Sequence, residues 1–102
     1  MAQFVKVAST GEIAPSSAKQ VEVNGKTIAL FNFDGNYYAL DNECTHRGGP
    51  LAEGYVEGES VTCPWHGAQF NIKTGAVLGP PAAKPVTQYN VRVQGNDVEV
   101  EV

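Results

Sequence analysis

Turn-forming residues interrupt this chain about every eight to twelve residues, a spacing that leaves no stretch long enough for a stable helix. Eleven glycines and six prolines are spread through 102 residues. No window of about eleven residues carries an unbroken i, i+3, i+4, i+7 apolar stripe. Between the breakers, apolar residues recur with a period of two, the pattern of strands with one buried face. An all-β fold is expected. Val21, Val23, Ile28, Leu30 and Phe31 flank Asn24-Gly25, a dipeptide that supplies the positive φ angles of a tight hairpin. Two further hairpins are predicted: 31–33 with 37–40 around Asp34-Gly35-Asn36, and 91–94 with 98–102 around Gly95-Asn96-Asp97. The only helical expectation is a short turn near Ser9 to Ile13.

The length suits one domain, residues 1–102, with no linker or repeat to divide it. The middle of the chain, from about Glu43 to Pro81, departs from the regular alternation and holds both cysteines, both histidines and the single tryptophan. Its turn formers, Gly48-Gly49-Pro50, Gly54, Gly58, Gly67, Gly75 and Gly79-Pro80-Pro81, suggest loops raised above short strands. This segment reads as a subdomain inserted into a flanking β framework.

Two clusters there carry the chemistry: Cys44-Thr45-His46 and Cys63-Pro64-Trp65-His66, separated by the sixteen residues from Arg47 to Thr62. Each offers one thiolate and one imidazole from a tight loop, and the short spacers let both side chains reach a common point. That is a chelating arrangement. Gly48, Gly49 and Gly67 allow close backbone approach, so that N–H groups can point at sulfur. Three other readings stand beside it. A Cys44–Cys63 disulfide would leave both histidines unexplained and does not suit a reducing compartment. A structural zinc site normally pairs Cys with Cys and His with His instead of mixing them in each loop. The four residues could also be unrelated core and surface positions. If two thiolates hold one iron and two imidazoles the other, the site carries less negative charge than an all-cysteine cluster and is easier to reduce. The outer imidazole nitrogens would then link electron uptake to proton uptake.

Seven basic and eleven acidic residues give a net charge of −4, and no Lys/Arg cluster is present to neutralise phosphates. Nucleic acid is therefore not an expected partner. No apolar run approaches the roughly eighteen residues needed to span a bilayer, and the first residues lack the features of a secretory signal. A soluble, cytoplasmic protein is expected.

The motif C-x-H, sixteen residues, C-x-x-H, matched by Cys44, His46, Cys63 and His66, resembles that of the Rieske family. Over nearly its whole length the chain looks most like the stand-alone Rieske-type ferredoxins of bacterial ring-hydroxylating dioxygenase systems, which break down aromatic hydrocarbons. The resemblance implies an antiparallel β-sandwich base with an inserted cluster-binding subdomain, and one [2Fe-2S] cluster held by those four residues. It also implies a third, proline-containing loop at Gly79-Pro80-Pro81. The implied role is a monomeric carrier, not an enzyme. It would take single electrons from a flavin-dependent NAD(P)H reductase and deliver them to a terminal oxygenase. An oxygenase centre needs two histidines and a carboxylate around a separate iron, and both histidines here are already committed.

The chain departs from the respiratory branch of that family. Gly49 and Trp65 stand where those proteins have a second disulfide-bonded cysteine pair, and Ala68 and Phe70 replace a serine and a tyrosine that donate hydrogen bonds to sulfur. Without those donors the reduced cluster is less stabilised. The resemblance therefore implies a potential toward the lower end of the roughly −150 to +300 mV Rieske range. Trp65 is expected to pack in the core or at the rim and, beside His66, to be available for docking, as are Arg47, Gly48, Gly49 and Pro50. Two alternatives of other kinds are a Rieske-like small subunit of an assimilatory nitrite reductase and a zinc-stabilised binding module.

Overall fold

The computed structural model describes residues 3–33, 35–43, 50–65, 67–79 and 84–102. Among them run eleven strands: β1 (Phe4–Ser9), β2 (Ser17–Val23), β3 (Lys26–Phe33), β4 (Asn36–Asp41), β5 (Tyr55–Glu57), β6 (Ser60–Thr62), β7 (Gln69–Asn71), β8 (Val77–Gly79), β9 (Gln88–Tyr89), β10 (Val91–Gln94) and β11 (Asp97–Glu101). All their pairings are antiparallel, as the period-two pattern predicts. They form three sheets, β1-β11-β10, β2-β3-β4-β9 and β5-β6-β7-β8. The only helical pieces among the described residues are single 3-10 turns at Thr10–Glu12 and Leu51–Glu53. The first lies where a short turn is expected, and none is long and apolar enough to cross a membrane.

The Asn24-Gly25 turn forms as its sequence requires. Both residues take positive φ, 50° and 77°, and Val23 pairs directly with Lys26. The other two hairpins are tighter than the turn residues alone suggest, because Asn36 pairs with Phe33 and Asp97 with Gln94. Two-residue loops match the right-handed strand twist, and Gly35 and Gly95 supply the positive φ they need, 83° and 60°.

The middle sheet is covered on both faces. One face packs Ile28, Leu30 and Ala39 with Val21 and Val23 against Ala8, Val98 and Val100 of the first sheet. The other turns Ala29, Phe31 and Leu40 toward Leu51, Val61, Cys63, Ala68, Phe70 and Ile72. Ile28, Ala29, Leu30 and Phe31 are thus consecutive and all fully buried. A strand sandwiched between two cores has no polar face to alternate. Burial of each large side chain here contributes roughly 1.5–3 kcal/mol.

The third sheet, β5 to β8, lies within the inserted segment predicted from about 43 to 81, and its strands are three residues each. Lys73 fastens it to the base. Its Nζ lies 2.9 Å from Glu59 and sits 5.1 Å and 5.9 Å from the ring centres of Phe33 and Tyr38, on β3 and β4. The returning chain is fixed beside it, where the Val86 N–H donates to the Gly75 carbonyl at 3.0 Å.

Candidate metal centre

Of the four predicted ligands, the described residues include Cys63; Cys44, His46 and His66 lie outside them, with Arg47, Gly48, Gly49, Pro80 and Pro81. The expectations placed on those positions lie outside the described residues. Among the described residues no three His, Cys, Asp or Glu side chains converge on a common point.

The second ligand loop leaves β6 and returns in β7. Its neck is closed by the Cys63 N–H, which donates to the Ala68 carbonyl at 2.7 Å. Gly67 makes the turn at φ 76°. The Cys63 side chain is almost fully buried, at 2% exposure, and its Sγ accepts a hydrogen bond from the Trp65 N–H at 3.4 Å. A backbone N–H aimed at sulfur favours the thiolate over the thiol, and a buried thiolate needs a cationic partner such as a metal. This environment fits an iron–sulfur ligand. Ala68 and Phe70 are fully buried and bring no hydroxyl to the sulfur. Trp65 is half exposed, at 50%, which puts it at the rim and not in the core.

The first ligand loop springs from the end of β4, and its neck is closed by the chain on either side of it. The Leu51 N–H donates to the Asn42 carbonyl at 2.8 Å, and Glu43 forms a β-bridge with Pro50. Leu51 is fully buried in the same core as Cys63 and Ala68, so the two necks share one packed platform. Among the charges of the third sheet's turns, Glu59 and Lys73 form an ion pair at 2.9 Å. The hydrogen bond from Lys73 to Glu59 holds that amine above the usual lysine value.

The model of the Rieske [2Fe-2S] domain matches residues 3–90. The chain belongs to the Rieske [2Fe-2S] family. Its cofactor is accordingly one Rieske-type [2Fe-2S] cluster. The chain is 38% identical over 99 residues to the biphenyl dioxygenase ferredoxin subunit of Pseudomonas sp. (strain KKS102), covering 96% of this chain and 91% of the relative. It also superimposes, with a TM-score of 0.91 and 30% identity, on a chain of the solved complex of reduced oxygenase and oxidized ferredoxin in carbazole 1,9a-dioxygenase, covering 95% and 91% of the two chains. A nitrite reductase small subunit shares the fold, with a TM-score of 0.82 at 24% identity and coverage of 96% and 97%. That likeness reaches the fold alone. The Rieske ferredoxin expected from the ligand motif is thus the one the relatives support, as a carrier component and not a catalytic subunit.

The roles of two residues of this frame escaped the sequence reading, which takes Gly54 only as a turn former. Asn42 is buried at 5% exposure, and Gly54 abuts the strand that leads into Cys63. A polar residue two positions before a candidate ligand cysteine was a faint signal for the first; for the second, its place among the turn formers gave no sign of its close packing.

Proposed function

We propose that Cys44, His46, Cys63 and His66 hold the cluster, and that the protein is a cytoplasmic, monomeric electron carrier. It takes single electrons from a flavin-dependent NAD(P)H reductase and hands them to the terminal oxygenase of a ring-hydroxylating dioxygenase system. The observation that carries this reading is the buried Cys63 sulfur, hydrogen-bonded by the Trp65 N–H at the base of a tight loop. The biphenyl dioxygenase ferredoxin subunit supports the oxygenase as electron acceptor.

When bound, the cluster would supply reversible one-electron chemistry, with the Cys44 and Cys63 thiolates and the His46 and His66 imidazoles to hold it. The chain's own residues set its surroundings. Burial of Cys63 excludes water from the thiolate side, and the Trp65 N–H stabilises added negative charge on the sulfur. The half-exposed Trp65 side chain offers a flat apolar contact at the rim, suited to a small, transient interface. No covalent bond rearrangement is asked of any side chain, and the outer imidazole nitrogens are the groups that would take up a proton with the electron.

The test is an EPR spectrum of the dithionite-reduced protein. Mixed Cys/His ligation gives an average g below that of an all-cysteine cluster, and Cys63→Ser should abolish the native spectrum and the visible colour. A properly folded wild-type protein that is colourless and free of iron after anaerobic purification would sink the reading. Native purification separates it from the nitrite reductase subunit alternative, which requires a stable larger complex.

A further inference from the structure

The two ligand loops spring from different parts of the chain, yet a shared cluster requires a fixed distance between them. The segment from Pro50 to Gly54 is the connection. At one end it is clasped by Asn42, whose Oδ1 accepts the Ala52 N–H at 2.8 Å and whose carbonyl accepts the Leu51 N–H at 2.8 Å. The remaining groups of Asn42 are anchored in the base: its N–H donates to the Thr27 carbonyl at 3.0 Å, and its Nδ2 to Gln20 Oε1 at 3.2 Å. Every hydrogen-bonding group of this buried residue thus ties the loop-one neck to the β2-β3 hairpin or to the connecting turn.

At its other end the segment is seated against the second loop. Gly54 closes the Leu51–Glu53 turn with its N–H on the Leu51 carbonyl at 3.0 Å, at φ −78° and ψ −178°, a conformation open to any residue. Glycine is required there for space. A methyl group at 54 would overlap the carbonyl oxygen of Thr62 and lie 3.2 Å from its carbonyl carbon and 3.1 Å from the Leu51 oxygen. Those neighbours are backbone atoms, which cannot swing aside. Thr62 is also the residue immediately before Cys63. Contact at Gly54 therefore fixes how closely the turn that follows loop one approaches the strand that delivers the loop-two thiolate.

We infer that Asn42 and Gly54 are positioning residues that set the separation of the two ligand loops, and so the geometry and retention of the cluster. This rests on the proposed ligand set. Gly54→Ala levers Thr62 and Cys63 away from the loop-one neck. Asn42→Ala releases the same strut from its opposite end. Asn42→Asp keeps the acceptor for Ala52, and the Gln20 amide can rotate to donate to it, so this variant rescues. Partners that orient metal ligands typically change affinity 10- to 100-fold when removed, and an effect of roughly that size is expected.

The experiment compares the loaded wild-type protein with Gly54→Ala, Asn42→Ala, Asn42→Asp and Gly58→Ala. Gly58 lies at the far end of the same β5–β6 hairpin, at φ 58° with no atom near its missing side chain, so its replacement reports hairpin destabilisation alone. Iron release to a chelator, the EPR g values and the thermal midpoint are measured for each. Gly54→Ala and Asn42→Ala should release iron roughly 10- to 100-fold faster with displaced g values, while Asn42→Asp and Gly58→Ala keep the wild-type spectrum. Wild-type g values in both Gly54→Ala and Asn42→Ala, or equal displacement in Gly58→Ala, would overturn the inference. Should Gly54→Ala fail to fold, the Asn42 pair decides: loss in Ala with recovery in Asp upholds the strut, and identical behaviour of the two removes it. Failure of the ligand reading is separately visible, because the wild-type protein would then lack the mixed-ligand spectrum or Cys63→Ser would retain it.

Discussion

Two glycines with nearly the same backbone conformation serve different ends. Gly25 and Gly75 have φ of 77° and 79°, but the space around Gly25 is open, whereas a methyl at Gly75 would overlap the Val86 carbonyl oxygen. Gly25→Ala is therefore expected to cost roughly 1–2 kcal/mol, the left-handed strain alone. Gly75→Ala adds overpacking against a backbone and should cost roughly 2–5 kcal/mol. Thermal midpoints should fall by about 4–8 °C per kcal/mol, and equal shifts would remove the Val86 contact from the explanation. Cys63 stood out in the sequence as a candidate ligand because thiolate and imidazole chemistry is tied to residue type and short spacing. The packing role of Gly54, as distinct from its place in a turn, and that of Asn42 were not legible there, since they arise from contacts with Thr62, Gln20 and Thr27, positions far along the chain or unremarkable in composition.

Among the local elements, the Thr10–Glu12 turn owes its shape to a carboxylate. Glu12 Oε2 accepts the Ser9 N–H at 2.9 Å and meets Lys19 Nζ at 3.4 Å. The Ser9 hydrogen bond first, and Lys19 second, hold its pKa below the ordinary 4.5. Because the folded value is the lower one, the turn's stabilisation is present above the unfolded value and is lost as pH falls through the folded one. The Ser9 amide resonance should accordingly titrate with a midpoint below 4.5, and Glu12→Gln should flatten that titration. A Ser9 signal that titrates unchanged in the variant would assign the effect elsewhere. Hairpins were readable at this scale because Asn-Gly and Gly-Asn steps dictate backbone sign. Their loop lengths were not, because Asn36 and Asp97 look like turn residues and are drawn into the ladder by pairing with Phe33 and Gln94.

For the molecule as a whole, the doubly covered middle sheet joins two cores through shared strands, and the chain is expected to unfold as one unit. Ile28→Val on the base side and Ile72→Val on the cluster side should each cost about 0.5–1.5 kcal/mol. Circular dichroism and the visible absorbance of the cluster should lose signal together in both variants. If Ile72→Val bleaches the cluster at a temperature where the sheets persist, the two cores are separate units. The resemblance implied the sandwich base and the added subdomain, but not how they stack on the middle sheet, since the run Ile28 to Phe31 gives no sign of which neighbour covers which face. The outer sheet places β11 between β1 and β10, so its central strand is the last of the eleven in chain order. On the ribosome, where residues emerge at about 5–20 per second, β1 has no partner in its own sheet until that final strand arrives. The cluster-side layer can assemble earlier, which leaves the opposite, sticky flank of the middle sheet as the surface a chaperone would shield during synthesis.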